Sequence, residues 1–225
     1  MEPARIAQLI TAIAPRLAPG AEVSIEANPE TIDRAGFVAL REAGITRVSI
    51  GAQSFQTHLL ATLDRRASAA QVRAAVHAAR EADIASVSID LLFGVPGQSV
   101  DDLARDIAAV QELAPDHVSW YELEVKPGSG LAAAGAQVDG DFTEDAYHEI
   151  VDRLEAAGYR WYETANFARP GHECRHNLAY WGAADYVGVG IGAVSTVAGR
   201  RWRNAPDLDG YLDAVARGQL PRRTH

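Results

Sequence analysis

The sequence is poor in cysteine, in positive charge and in long apolar runs, and each shortage excludes a class of protein. One cysteine, Cys174, occurs among 225 residues, which excludes an internal disulfide framework and any metal site that needs several thiolates from this chain. The net charge of -9 argues against nucleic acid, or an anionic membrane, as a partner held by bulk electrostatics. With no signal segment and no apolar run long enough for a membrane span, we expect a cytoplasmic protein that meets a membrane only through a partner.

What the sequence does contain is a short motif that recurs along its first 120 residues. Val-Ser followed by a bulky apolar residue occurs at 23–25, 48–50, 87–89 and 118–120, and helix-like sequence separates each copy from the next. β-branched residues around a small serine are typical of strands covered on both faces, as in a parallel sheet wrapped by helices. The pattern predicts a β/α barrel with the serines at one inner level. A fifth strand, without the motif, is predicted at 160–167 after a helix at 144–157.

The chain opens with a predicted helix rather than a strand. Residues 1–20 have apolar residues at helical spacing and end in Pro19-Gly20. Because a helix should follow a strand in a β/α repeat, we expect the first strand to be missing from this chain. The predicted fold class is therefore α/β, with a partial barrel at 1–168 and a C-terminal extension at 169–225.

Polar side chains follow three of the repeated segments. By strand alternation, Glu26, Gln53 and Asp90 share a face with the serines and lie nearer the strand ends. The carboxyl ends of the strands in such a barrel form the mouth that holds the active site. The plain alternative is that these are ordinary polar residues that cap the next helix.

A cationic residue, Arg65, lies between two predicted helices, within reach of the predicted mouth. Its guanidinium offers a fork for a carboxylate, while the acidic residues accept hydrogen bonds from hydroxyl or ammonium groups. Together these side chains fit a zwitterionic ligand with a sugar, such as a nucleoside that carries an amino-acid tail. A surface ion pair between Arg65 and Asp64 is the alternative. Further candidates for acid/base groups, or simply for solvated carboxylates, are Glu122, Glu124 and Glu163.

Titratable and aromatic residues are concentrated between 172 and 181. Imidazole and thiolate are both axial ligands of heme iron, so His176 and Cys174 are candidates for a heme or metal site. Tyr180 and Trp181 would supply flat apolar surface beside a porphyrin. The alternative is a histidine that caps a helix, with both aromatic side chains anchored in the core. The following segment, 185–192, alternates glycine with valine and isoleucine, which predicts a strand with one bare face.

Several stretches of the sequence together resemble a known family. They are GAQSFQTHLLATLDRR, SVSIDLLFGVPGQS, SWYELEVKPGS, YETANFARPGHECRHNLAYW and DYVGVGIGA. They closely resemble the radical S-adenosylmethionine (SAM) proteins of the oxygen-independent coproporphyrinogen III oxidase group. The His-Asn-x-x-Tyr-Trp element is similar to that of the heme-chaperone branch of this group. The resemblance implies a partial (β/α)6 TIM-like barrel whose mouth holds SAM against a [4Fe–4S] cluster.

The resemblance also implies roles for single residues. The positions that match SAM contacts of the family are Glu26, Gln53, Arg65 and Asp90. The positions that match the element linked to heme binding are His176, Asn177, Tyr180 and Trp181. Relatives in the chaperone branch bind heme and pass it to hemoproteins. Relatives in the oxidase branch convert two propionate side chains of a porphyrin precursor to vinyl groups, which is the alternative activity.

The chain departs from the family pattern where the iron–sulfur cluster is bound. The family's Cys-x3-Cys-x2-Cys loop and a Gly-rich motif are expected before Met1, its C-terminal domain is expected beyond His225, and Cys174 cannot replace three thiolates. Val194 stands where relatives often have histidine. Two interpretations stay open: a fragment of a heme chaperone, or a complete chain that has lost radical chemistry and retains tetrapyrrole binding. In either case the chain as written is not expected to cleave SAM.

Overall fold

The computed structural model describes residues 2–224, which form alternating helices and strands in the first two thirds of the chain. The helices are α1 Pro3–Ile13, α2 Arg34–Ala43, α3 Thr57–Thr62, α4 Ala69–Glu81, α5 Val100–Leu113, α6 Gly130–Ala133, α7 Gly140–Ala156, α8 Arg175–Trp181 and α9 Leu208–Ala216. The strands are β1 Ser24–Ala27, β2 Arg47–Gln53, β3 Ser86–Phe93, β4 His117–Glu122, β5 Arg160–Glu163, β6 Asn166–Ala168, β7 Val194–Val197, β8 Arg200–Asn204 and β9 Arg223–Thr224.

Local sequence explains where several helices begin and end. Ser68 caps α4 and Ser99 caps α5, each with a capping box that satisfies backbone N–H groups of the first turn. Gly44 ends α2 in the left-handed conformation, with a φ of 108°. The opening helix is shorter than predicted, because the chain tightens into a 3₁₀ turn at Ala14–Arg16, around Pro15.

The strands of the first part form one six-stranded sheet in the order β1-β2-β3-β4-β6-β5. The four strands that carry the repeated motif are parallel neighbours, which confirms the predicted α/β class with a parallel sheet. The prediction of one fifth strand at 160–167 is wrong. A turn at Thr164 and Ala165 reverses the chain, so β5 and β6 form a hairpin, and β6 pairs antiparallel with β4.

The serines of the repeated motif do not lie at one level, which corrects the prediction. The register pairs Ser49 with Ser88, Ser24 with Arg47, and Ser119 with Asp90. Neighbouring strands are therefore staggered by two residues at the β1–β2 and β3–β4 steps. Such stagger belongs to the geometry of barrels, in which tilted strands shift register from one to the next.

The opposite face of the sheet forms the core. Val48, Ile50, Val87, Ile89 and Val118 are fully buried there. Amphipathic helices α2, α4, α5 and α7 contribute their apolar faces to the same cluster. Apolar residues thus fill one side of the strands and leave the polar residues of the motif on the other side.

The chain divides into two compact units, the first ending at Glu173 and the second beginning at Cys174. The second unit contains α8, α9 and a small antiparallel sheet in the order β7-β8-β9. A domain boundary at 168/169 remains a sequence prediction. In the part of the chain that is described, no helix is both long and apolar enough to cross a membrane.

The glycine-rich segment 185–192 is not a strand, contrary to the prediction, apart from an isolated bridge at Tyr186. Tyr186 pairs with Thr196 of β7 and the Gly192 N–H donates to the Asn204 carbonyl of β8, while side chains bind other backbone groups of the segment. The Gly188 N–H donates to Ser195 Oγ (3.0 Å) and the Gly190 N–H donates to the Tyr211 hydroxyl (3.0 Å). Asn204 Nδ2 donates to the Gly190 carbonyl at 2.9 Å.

Candidate functional site

A row of four polar residues and one glycine runs across five neighbouring strands, near the carboxyl ends of the parallel ones. The register places Gly51, Asp90, Ser119, Asn166 and Glu163 opposite one another on β2, β3, β4, β6 and β5. We call these five residues the polar row. Because the carboxyl ends of parallel strands are where α/β proteins bind ligands, the polar row is the candidate site of the first unit.

Asp90 is the centre of the row. Ser49 Oγ donates to Asp90 Oδ1 at 2.7 Å, and Ser119 is also hydrogen-bonded to this carboxylate. Burial raises the pKa of Asp90, the two hydroxyl hydrogen bonds lower it, and the nearby charge of Glu26 raises it further. A shielded carboxylate, Asp90, with the exposed carboxylate of Glu26 nearby favours a ligand that brings hydroxyl or ammonium donors.

Gln53 is carried to the same place by an unusual backbone. It ends β2 at a φ of 64°, next to an irregularity in the β2–β3 register. A Cβ on Gly51 would lie 2.9 Å from Gln53 Nε2 and 3.8 Å from Asn28 Oδ1, so the amide lies over the bare glycine and beside the end of β1. Three of the four residues predicted to contact SAM, Glu26, Gln53 and Asp90, are thus brought together.

Arg65, the fourth residue predicted to contact SAM, makes no contact with Glu26, Gln53 or Asp90 through a hydrogen bond or an ion pair among the described residues. It follows α3 after Asp64, which has a φ of 52°, and its side chain is exposed. Within residues 2–224 that side chain makes neither a hydrogen bond nor an ion pair, so the alternative pair with Asp64 is not formed either. Its role toward a ligand stays a prediction.

A buried carboxylate that the sequence interpretation missed holds the loop after Gln53. Asp106, on α5, accepts hydrogen bonds from Ser54 Oγ (2.7 Å), the Phe55 N–H (2.9 Å) and Gln56 Nε2 (2.8 Å). Burial raises the pKa of Asp106, against the effect of these three donors. A signal was present, because an aspartate at helical spacing among Leu103, Ile107 and Val110 lies on the apolar face of its helix.

The far end of the polar row is built by residues that the sequence interpretation left out or only weighed. Tyr121, which is 43% exposed, lies beside Ser119 and Asn166; burial raises the pKa of its hydroxyl and these two side chains lower it. Asn166 Nδ2 donates to Glu163, while Asn166 Oδ1 is buried without a partner. Of the three glutamates considered as acid/base groups, Glu163 joins the row. The other two, Glu122 and Glu124, are exposed.

The opposite end of the strands is closed by a separate polar network. His117 Nδ1 is 2.8 Å from Ser88 Oγ, and its Nε2 is 2.8 Å from the Tyr162 hydroxyl. Burial, and the charge of Arg47, lower the pKa of His117 to about 3, so the imidazole is neutral at physiological pH. Arg47 Nε donates to Glu22 at 3.0 Å. Ser88 and His117 lie two residues before Asp90 and Ser119 on their strands, and Arg47 lies four residues before Gly51, so this network is separate from the polar row.

In the second unit, the predicted heme element forms α8. His176 and Tyr180 lie one turn apart, as do Asn177 and Trp181. Tyr180 is 46% exposed and Trp181 is 61% exposed, and the Tyr180 ring contacts Tyr186 with centroids 5.6 Å apart. The alternative in which the two aromatic side chains anchor the core does not hold, because a core anchor is buried.

Comparisons with known proteins decide the family. The Radical SAM superfamily matches residues 3–110. Coproporphyrinogen III oxidase (HemN) from Escherichia coli shares the fold, with a TM-score of 0.84, 24% identity, and 99% of this chain and 56% of that chain covered. This chain carries a radical SAM domain. The strands of that domain, β1 to β3, hold Glu26, Gln53 and Asp90.

Proteins named heme chaperone HemW are similar over most of the chain. The Mycobacterium tuberculosis protein is 43% identical over 91% of this chain and 54% of its own length. The Escherichia coli protein is 38% identical over 79% of this chain and 47% of its own length. The chain therefore spans about half the length of these curated relatives.

The residues present fit SAM better than they fit a cluster. The radical SAM superfamily implies both SAM and a [4Fe–4S] cluster, and such clusters are held by several cysteine thiolates. This chain has one cysteine, Cys174, and residues 2–224 contain no group of three His, Cys, Asp or Glu that could hold a metal ion. The carboxylates of Glu26 and Asp90 and the amide of Gln53, in contrast, can hydrogen-bond with the donors and acceptors of a nucleoside.

Proposed function

We propose that this chain is the SAM-binding and heme-binding part of a heme chaperone, which carries heme to an acceptor hemoprotein in the cytoplasm. The observation that carries the proposal is the exposed α8, where a histidine lies one turn from an exposed aromatic residue. Similarity to HemW proteins at 43% and 38% identity supports the same function. The acidic composition and the single cysteine favour the cytoplasm.

For heme, α8 supplies both kinds of contact that a porphyrin needs. The exposed imidazole of His176 is available as an axial ligand to the iron. Tyr180 and Trp181 offer flat apolar surface, and exposure of 46% and 61% leaves both accessible to a macrocycle. Asn177 lies on the same side as Trp181 and would hydrogen-bond at the edge of the ligand.

For SAM, the first unit supplies acceptors on neighbouring strands. Glu26 and Asp90 would accept hydrogen bonds from the ribose hydroxyls or the amino group, and Gln53 would serve as donor or acceptor. Arg65 would take the carboxylate of the methionine tail. In the radical SAM superfamily a reduced cluster supplies the electron that cleaves SAM. Because the thiolates for a cluster are not among these residues, we propose that this chain binds SAM and does not cleave it.

The oxidase alternative has weaker support. Its relative HemN is 24% identical to this chain, which is a likeness of fold alone. The heme chaperones are more similar in sequence and share the same stretch of the chain. The chaperone function is therefore the one that the residues support best.

The experiment is a hemin titration followed by the Soret absorbance. The wild-type chain should bind with a shifted Soret band, and His176→Ala should lose the shift and weaken binding at least about tenfold, because a metal–ligand bond is lost. His148→Ala is the control, since His148 is an exposed histidine of α7 in the first unit. Equal Soret shifts in wild type and His176→Ala would rule out His176 as the ligand.

A further inference from the structure

The second unit is basic although the whole chain is acidic. Residues 174–225 contain seven arginines and four aspartates, whereas the rest of the chain contains 14 basic and 26 acidic residues. The charge asymmetry is independent of α8, because most of these arginines lie on or beside the small sheet β7-β8-β9. A local excess of positive charge of this kind attracts an anionic ligand.

Part of this charge surrounds a cavity. The cavity measures about 730 Å³ and is lined by Val197, Ala198, Arg200, Arg201, Trp202 and Arg223. We call it the arginine–tryptophan pocket. Its volume is in the range of small-molecule sites. Val197 and Trp202 are only partly exposed, so the pocket has an apolar wall beneath its charged rim.

One arginine of the pocket lies over its tryptophan, and within the described part of the chain the arginines have no carboxylate partners. The Arg223 guanidinium lies 4.3 Å from the centroid of the Trp202 ring, which is a cation–π contact. In residues 2–224 none of Arg200, Arg201 and Arg223 forms an ion pair with a carboxylate. Asp185 accepts a hydrogen bond from the backbone N–H of Ala198, a residue of the pocket, at 2.9 Å. The N–H groups of these guanidinium groups are therefore available to donate paired hydrogen bonds to carboxylates of a ligand.

We propose that the arginine–tryptophan pocket binds a flat aromatic molecule with two carboxylates, a carboxylated porphyrin. The choice of a porphyrin rests on the proposed function, whereas the flat shape and the carboxylates follow from Trp202 and the arginines. The pocket differs from α8 in its chemistry. His176 on α8 offers a ligand to iron, and the pocket offers partners to propionate groups.

The test uses iron-free protoporphyrin IX, which has the two carboxylates but no metal for His176. Binding is followed by quenching of tryptophan fluorescence and by porphyrin absorbance. The double variant Arg200→Gln/Arg201→Gln should weaken binding by at least about tenfold, since hydrogen bonds to charged groups are lost. The dimethyl ester of the same porphyrin should bind the wild-type chain no better than it binds this variant.

The matched control is Arg217→Gln/Arg222→Gln, which removes the same charge from the same unit outside the pocket. It should bind protoporphyrin as the wild type does. Unchanged affinity in Arg200→Gln/Arg201→Gln, equal losses in both double variants, or no binding by the wild type would overturn the proposal. Hemin binding that depends on His176 but not on the pocket would overturn only this inference. Protoporphyrin binding that depends on the pocket, without an effect of His176 on hemin, would overturn only the proposed function.

Discussion

At the scale of the residue, Asp90 shows how a ligand site can weaken the fold that carries it. Its carboxylate is largely buried beside Glu26, and burial is the main reason that its pKa is raised. A raised pKa means that the folded chain binds a proton more tightly than the unfolded chain does. Stability is therefore lost as the pH rises through the window between the two pKa values.

We predict that Asp90→Asn raises the melting temperature at pH 7, because the neutral amide removes the buried charge. The same substitution should weaken SAM binding about tenfold, because one acceptor oxygen is lost. The gain in melting temperature should shrink as the pH falls and disappear below the ordinary aspartate pKa of 3.8. Thermal unfolding at several pH values and calorimetry with SAM measure the two effects. Asp101→Asn, an exposed position on α5, is the control. Unchanged SAM affinity in Asp90→Asn would remove Asp90 from the site.

At the scale of the element, α5 positions a residue of a neighbouring strand. Its Asp106 takes three hydrogen bonds from the loop that follows Gln53. That loop starts from a left-handed backbone at Gln53, a conformation that costs free energy for a residue other than glycine. The buried carboxylate of Asp106 offsets this cost, so we infer that it fixes the direction of the Gln53 side chain.

The prediction for Asp106→Ala is a loss of about 2–4 kcal/mol in the free energy of unfolding, because buried donors lose their acceptor. SAM affinity should also fall, measured at a temperature where the variant is folded. Asp101→Ala, on the exposed side of the same helix, should change neither quantity by much. A variant that is destabilised but binds SAM like the wild type would show that Asp106 acts on stability alone.

At the scale of the whole molecule, the sequence predicts the features that depend on local repetition. The Val-Ser motif identifies four strands, their parallel order and the polar ends at Glu26, Gln53 and Asp90, since strand alternation is a local property. Whether the serines of neighbouring strands lie opposite one another depends on the register between the strands. The sequence of a single strand does not determine that register. The prediction failed there for that reason.

Other features depend on partners that are distant in sequence. The segment 185–192 is irregular because Ser195, Asn204 and Tyr211 bind its backbone. The β5–β6 hairpin results from a two-residue turn inside a run that otherwise has the composition of one strand. The role of Asp106 becomes visible only when α5 packs beside the loop after β2. Periodicity alone does not report such long-range hydrogen bonds.

We propose that one chain holds two ligands through two sets of residues: SAM through the polar row with Glu26 and Gln53, and heme through α8. The measurement that tests it most directly is calorimetric binding of SAM and of hemin to the wild type, Asp90→Asn and His176→Ala. We expect Asp90→Asn to lose affinity for SAM alone and His176→Ala to lose affinity for hemin alone. Variants that keep both affinities, or that each lose both, would contradict it.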